Sequence, residues 1–264
     1  MGRTLINFQN MATIHYLSGL PRTGSTLLSA ILSQNSNIHA EGNSALCQLA
    51  WDTSVSCLIY SQQQLIASGR NEIERSLIKS VAQIYYKDTT ASHIFDKCRS
   101  WTNPNNLFLV KNFLTESPKI VVLIRPVEEI LKSFLYLYKK NNLDSTEFER
   151  DFFNPDSEPV MRSLDGVKYA MDNNNGEFIF IKYSELVYKP KETIESIYSF
   201  CGIEEYQHDF QEVYVKQPED ERAYDLLGLH DVRPAIEIDT KELDISISDE
   251  ALQVCMRLNS SIGL

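Results

Sequence analysis

Apolar positions in this chain fall into two kinds of run. The short, nearly unbroken ones are Ile14–Ser18, Ile38–Glu41, His93–Lys97, Lys119–Ile124 and Phe178–Tyr183. Continuous hydrophobicity over so few residues predicts strands, and Lys119–Ile124 is the clearest, the sort of run a buried parallel strand shows. Between these runs the period changes. Ser25–Gln34 carries Leu27, Leu28, Ile31 and Leu32 on one helical face, and the stretch from Ala45 to Tyr86 reads as mostly helical, including Glu72–Tyr86. Arg125 and Pro126 open another helix, where proline suits the first turn and Glu128 and Glu129 fall near the positive end. Pro190–Phe200 is a further helix, with Gly202 just past its end. The polar, acidic segment Asn141–Pro159 is expected to be a surface loop or lid, and the acidic tail from Glu237 to Glu250 a solvated face.

Strands alternating with helices predict an α/β fold of three layers, with a mostly parallel central sheet flanked by helices. No shift in composition divides it, so residues 13–264 are expected to form one domain behind an N-terminal extension, residues 1–12. That extension lacks the apolar core of a signal peptide, and Ile6 stands where a myristoylation signal wants Ser or Thr. With 43% of 264 residues hydrophobic, the core needs no metal or disulfide staple. The net charge of −11 argues against a general nucleic-acid binder and against attraction to an anionic membrane surface. It leaves room for a small anionic ligand held by a few local cations. No apolar run approaches the roughly 20 residues of a membrane span. The five cysteines (47, 57, 98, 201 and 255) show no C-x-x-C spacing and are expected to be reduced in a cytoplasmic protein. The histidines have no metal-ligand spacing, and no metal is expected.

Gly19-Leu-Pro-Arg-Thr-Gly-Ser-Thr26 lies where the first strand turns into a helix. Free N–H groups and the positive end of the helix dipole favour an anion there. Gly24 permits close approach of the backbone, while Ser25 and Thr26 add hydroxyl donors. The spacing mimics the triphosphatase P-loop, so the fold is expected to be P-loop nucleotide-binding-like. Ser25, however, replaces the lysine, and Arg22 supplies the cation. The clearest strand ends in Arg125 rather than a magnesium-holding aspartate, although Asp96 ends a weaker one.

Pro21-Arg-Thr-Gly-Ser-Thr26 resembles the 5′-phosphosulfate loop of sulfotransferases, whose donor is 3′-phosphoadenosine-5′-phosphosulfate (PAPS). The run Ile120–Arg125 followed by Ser133 resembles the same family's 3′-phosphate motif, an apolar strand, an arginine and a helical serine. Ile181-Lys-Tyr-Ser-Glu-Leu186 resembles its segment whose tyrosine lies near the adenine, and Leu229-His-Asp-Val-Arg-Pro234 a segment late in its bacterial branch. The match departs from the cytosolic animal members, which carry lysine at Arg22 and a C-terminal Arg-Lys-Gly motif. The resemblance implies PAPS as co-substrate, bound by Arg22, Thr23, Gly24, Ser25, Thr26, Arg125, Ser133, Tyr183 and Arg233. The acceptor would be a small molecule, a glycan or a lipid.

In an open parallel sheet ligands bind beyond the carboxyl ends of the strands. Arg22, Glu41, Lys97, Arg125 and Tyr183 are all expected on that rim. Sulfuryl transfer needs charge stabilisation, expected from Arg22 and Lys97, and a base. Glu41 is the first candidate base, and His39, on the same strand face, is the second. Arg99 either shares the cleft or pairs with Asp96, and His230 and Arg233 either close over the nucleotide or serve structure. Two rivals stand beside the sulfotransferase: a P-loop small-molecule kinase and a nucleotide-binding module without turnover.

Overall fold

The structure, a computed structural model, describes residues 12–155, 160–216, 218–237 and 244–264. Nearly all of the expected N-terminal extension, and parts of the 141–159 loop and the acidic tail, lie outside the described residues. Five strands form one sheet: β1 (Thr13–Gly19), β2 (Ile38–Ala40), β3 (His93–Lys97), β4 (Ile120–Ile124) and β5 (Phe178–Lys182), in the order β2-β3-β1-β4-β5. Every pairing is parallel. Leu17 lies opposite Lys97, Gly19 opposite Leu123 and Ile124 opposite Lys182. All five carboxyl ends therefore share one edge.

The helices are α1 (Ser25–Leu32), α2 (Leu46–Val55), α3 (Gln62–Ala67), α4 (Ile73–Tyr85), α5 (Pro104–Leu109), α6 (Val127–Lys140), α7 (Phe148–Asp151), α8 (Met161–Asp172), α9 (Tyr183–Tyr188), α10 (Pro190–Cys201) and α11 (Asp249–Ser260). Side-chain alternation along the strands splits the interior in two. Tyr16, Ile94, Ile120, Val122 and Ile124 pack with residues of α2, α4, α6, α8 and α11. Leu17, Phe95, Val121, Leu123 and Ile181 pack with residues of α1, α9 and α10. The α/β class and the three layers stand as the sequence predicts.

Differences from the sequence expectation have local causes. Tyr183 does not end β5 but begins α9, whose first turn is closed by the Glu185 carboxylate accepting the Lys182 N–H at 3.1 Å. Helix α11 opens inside the acidic tail. Ser248 caps it, accepting the Ala251 N–H at 3.1 Å, and Asp249 and Glu250 oppose the helix dipole. Asn259 of α11 in turn accepts the Val127 N–H at 2.8 Å and donates to Glu128 at 2.6 Å, satisfying the start of α6. No described residue of the loop after α6 lines the cavity at the strand ends. Phe148 and Phe152 of that loop pack on Phe134 of α6, with ring centroids 5.6 and 6.4 Å away, so burial of aromatic surface holds it to the helix.

Candidate active site

β1 delivers the chain to the loop at Gly19, whose φ of +121° and contact with the Leu123 backbone leave no room for a side chain. Gly24, at φ +81°, caps α1 in the left-handed conformation, and a Cβ there would meet the Tyr183 ring at 3.0 Å. Arg22 is also left-handed, at φ +58°, a conformation unfavourable for a residue with a Cβ. Strain of this kind persists only where the surroundings over-determine it. Here the Arg22 carbonyl accepts from Arg125 Nη1 at 2.9 Å, and its side chain donates through Nε to Ser133 Oγ at 3.0 Å and through Nη1 to the Leu229 carbonyl. Thr23 turns inward, donating to the Leu20 carbonyl at 2.7 Å, and so shapes the loop with its side chain.

Arg125 follows β4 directly and is buried. It pairs with Glu129 one helical turn on at 2.9 Å, and its guanidinium lies 4.3 Å over the Tyr183 ring. Ser133, fully buried two turns into α6, faces the same point. The loop, the end of β4, the first turns of α6 and the start of α9 are thus tied into one cradle by Arg22 and Arg125.

Lys97 ends β3 beside the loop. Burial, then the nearby Arg99 charge, lowers its pKa to about 8, and its ammonium lies 3.5 Å from Asn43 Oδ1. Asp96, one residue earlier, points to the opposite face of the sheet and is completely buried. It accepts from Ser44 Oγ at 2.7 Å, Tyr86 OH at 2.5 Å and Trp101 Nε1 at 2.7 Å. Desolvation raises its pKa against the pull of those three donors. Asp96 is a structural hub; Arg99 does not pair with it and instead lines the cavity with Lys97.

A cavity of about 340 Å³ joins these groups. Pro21, Arg22, Gly24, Ser25, Thr26, Lys97, Arg99, Arg125 and Tyr183 line its floor, and Tyr224, Leu229, His230 and Arg233 its roof. The roof is built from residues 218–237, and no described residue of the 141–159 loop lines the cavity. Lys140 holds Asp231 at 2.9 Å, and Asn141 exchanges hydrogen bonds with both backbone groups of Leu227 at 2.8 and 3.0 Å. Glu221 accepts the N–H groups of Gly228 and His230, both at 2.5 Å, closing the turn that carries His230. The His230 ring sits 3.5 Å from Glu221 and 3.8 Å from Glu219, while Tyr224 OH donates to Glu219 at 2.5 Å. Burial holds the His230 pKa below its ordinary value. Glu219 and Glu221 oppose that shift, and the charges of Lys97 and Arg22 reinforce it. Arg233 reaches Glu237 at 3.4 Å across the rim of the same cavity.

Glu41 and His39 are not brought to this cavity. They lie 2.9 Å from each other and line a separate recess with Tyr85, Tyr86 and Thr89. β2 is the edge strand, two places from β1, and that distance carries its end away from the loop. Of the aromatic residues in the stretch Ala45–Tyr86, Trp51 and Tyr60 are exposed, and Tyr85 and Tyr86 line the second recess. Asn43, Glu219, Glu221 and Tyr224 were not foreseen, because no motif spacing marks them and only the folded roof brings them to β3. Among the described residues no group of three or more His, Cys, Asp or Glu could hold a metal ion, and no helix is long and apolar enough to cross a membrane.

The model of the sulfotransferase family matches residues 16–208, which take in the loop, β4 with its arginine, and α9. Among solved structures, the sulfotransferase domain from the curacin biosynthetic pathway superposes with a TM-score of 0.61 at 14% identity, covering 96% of this chain and 98% of that one. The sulfotransferase domain of the Synechococcus PCC 7002 olefin synthase gives 0.59 at 14% identity over 97% and 95%. A sulfotransferase from Alicyclobacillus acidocaldarius gives 0.51 at 13% identity over 96% of each chain. No curated protein sequence matches the chain. At such identities the structural likenesses speak for the fold, and the match over residues 16–208 speaks for descent: the chain belongs to the sulfotransferase family.

Proposed function

We propose that this enzyme transfers a sulfuryl group from PAPS to a hydroxyl or amine of a small acceptor. One observation carries the reading. Two groups of cationic and hydroxyl side chains adjoin at the strand ends, Arg22 and Lys97 by the loop and Arg125 with the buried Ser133 beyond it, joined by the Arg22–Ser133 and Arg125–Arg22 hydrogen bonds, and we read them as stations for two anions. A ligand with two separated phosphate groups fits that pair; a mononucleotide uses only one. Tyr183, held under the Arg125 guanidinium, offers an aromatic wall beside the second station.

PAPS supplies the sulfuryl group and departs as 3′,5′-adenosine bisphosphate. The loop N–H groups, Arg22 and Lys97 stabilise negative charge on the leaving oxygens, which demands that Lys97 be protonated. Arg125 and Ser133 grip the 3′-phosphate through charge-assisted hydrogen bonds. We assign the base to His230 in place of Glu41 and His39. It lines the cavity opposite Lys97, burial favours its neutral form, and Glu221 fixes the turn it sits on.

The test is a thermal-shift titration with 3′,5′-adenosine bisphosphate, 5′-AMP and ATP–magnesium. Selective stabilisation by the bisphosphate is expected, about 2.7 kcal/mol at 100 times its dissociation constant. Stabilisation by ATP–magnesium alone would replace this reading with a kinase. Among candidate acceptors, radiolabelled sulfate transfer from PAPS separates an enzyme from a binding module.

A further inference from the structure

The order of the strands sets out the rim as a line: Tyr183 after β5, Arg125 after β4, the loop after β1, then Lys97 and Arg99 at β3. Neighbouring strands stand about 4.8 Å apart, so the β3 residues lie roughly 10 Å from the end of β4. On the donor reading above, on which this inference rests, the 3′-phosphate sits at β4 and the transferring group at the β1 loop. The acceptor then enters from the β3 side, where Arg99 lines the cavity.

Arg99 differs from the other cavity arginines. Arg22 is bonded to Ser133 and Leu229, Arg125 to Glu129 and Arg22, and Arg233 to Glu237. The Arg99 backbone is fixed, its carbonyl accepting from Ser18 Oγ at 2.7 Å, yet among the described residues no hydrogen bond or ion pair engages its guanidinium. Its charged neighbour is the buried Lys97 ammonium, which it repels, and the phenol of Tyr224 lies close by. Glu219 of the roof accepts from Tyr224 and faces His230. In a chain of net charge −11, a guanidinium that lines the cavity beside the buried Lys97 ammonium, in no ion pair among the described residues, is arranged for an anion from outside.

We propose that Arg99 receives an anionic group of the acceptor, a carboxylate or a phosphate, so that the substrates are acidic alcohols or phenols rather than neutral or cationic ones. The sulfuryl group is transferred to the hydroxyl while Arg99 holds the acid.

The experiment measures the affinity of three matched phenols for the protein saturated with 3′,5′-adenosine bisphosphate: 4-hydroxybenzoate, 4-hydroxyphenyl phosphate and neutral 4-hydroxybenzamide. At least one of the two anions should bind about tenfold or more tightly than the amide, and which one does so tells carboxylate from phosphate. In Arg99→Gln that preference should vanish while the affinities for PAPS and for the bisphosphate stay within about twofold; Arg99→Lys should keep part of the preference. Equal binding of all three phenols, no binding of either anion, or a preference that survives Arg99→Gln overturns the proposal. So does a tenfold loss of PAPS affinity in Arg99→Gln, which would assign the residue to the donor. Absence of bisphosphate binding to the wild-type chain would instead defeat the donor reading beneath it.

Discussion

Arg125→Gln separates the donor site from the fold. The wild-type side chain is 4% exposed, so its contacts are little screened. Substitution removes the 2.9 Å hydrogen bond to the Arg22 carbonyl, worth about 1 kcal/mol, and the stacking on Tyr183, worth about 1 kcal/mol. The pair with Glu129 adds about 0.5 kcal/mol, since that carboxylate is 35% exposed. The free protein should therefore lose about 2–3 kcal/mol, a fall in Tm of roughly 5–10 °C for a chain of this size. Binding has its own signature. A charge-assisted bond to phosphate contributes about 1.5–3 kcal/mol, so the affinity for 3′,5′-adenosine bisphosphate should drop about 10- to 100-fold. The affinity for 5′-AMP, which has no 3′-phosphate, should change less than about threefold on the same scale. Calorimetric titration of both nucleotides against both proteins reads the difference. Equal weakening of the two would mean that Arg125 merely supports the loop, and unchanged bisphosphate affinity would remove the second station altogether.

Other outcomes follow from the same geometry. His230→Gln should lower kcat by about 100-fold or more with bisphosphate affinity unchanged, and near-normal turnover would refute His230 as the base. The pH–rate profile should be bell-shaped. A base works deprotonated, so the acid limb reports His230 and lies below its ordinary value. Lys97 works protonated, so the alkaline limb falls near pH 8, and Lys97→Arg should move that limb upward; a limb that stays put refutes the role of Lys97. Gly24→Ala, which combines a φ of +81° with contact against the Tyr183 ring, should destabilise the protein by about 1–3 kcal/mol, read as a lower denaturant midpoint. Cys98 should be the first of the five cysteines alkylated by iodoacetamide at neutral pH. Hydrogen bonds from Cys47 and Ser100 hold its pKa below the ordinary thiol value, whereas burial raises Cys201 to about 12, and faster labelling at Cys201 would contradict this.

Much of this site could be read along the chain because its chemistry is local. Gly19, Arg22, Gly24 and Ser25 are neighbours in sequence. The strand-to-helix switch that exposes their N–H groups shows itself as a change of hydrophobic period at one point. Arg125 and Ser133 are eight residues apart, and the regular geometry of α6 alone puts both near its start. The parallel sheet was legible for a similar reason: β4 is apolar at every position, as burial on both faces requires. What the chain could not disclose was distance across the rim. Glu41 satisfies every local criterion for a base, ending a strand near the loop, but strand order is a tertiary property. The edge position of β2 turns its carboxylate to His39 in another recess. The sequence reads His230 as closing over the nucleotide or serving structure, not as a base. It becomes a candidate base because Glu221, Lys140 and Asn141 fold residues 218–237 over the ends of β1 and β3. Arg99 is set apart from its cavity neighbours by what does not touch it. The sequence determined the layers, the loop and the residues able to hold an anion, through periodicities and turns that act over a few residues. The tertiary structure decided which of those residues face one another, because strand order and the packing of the roof join positions up to 207 apart, as in the bond from Arg22 to Leu229.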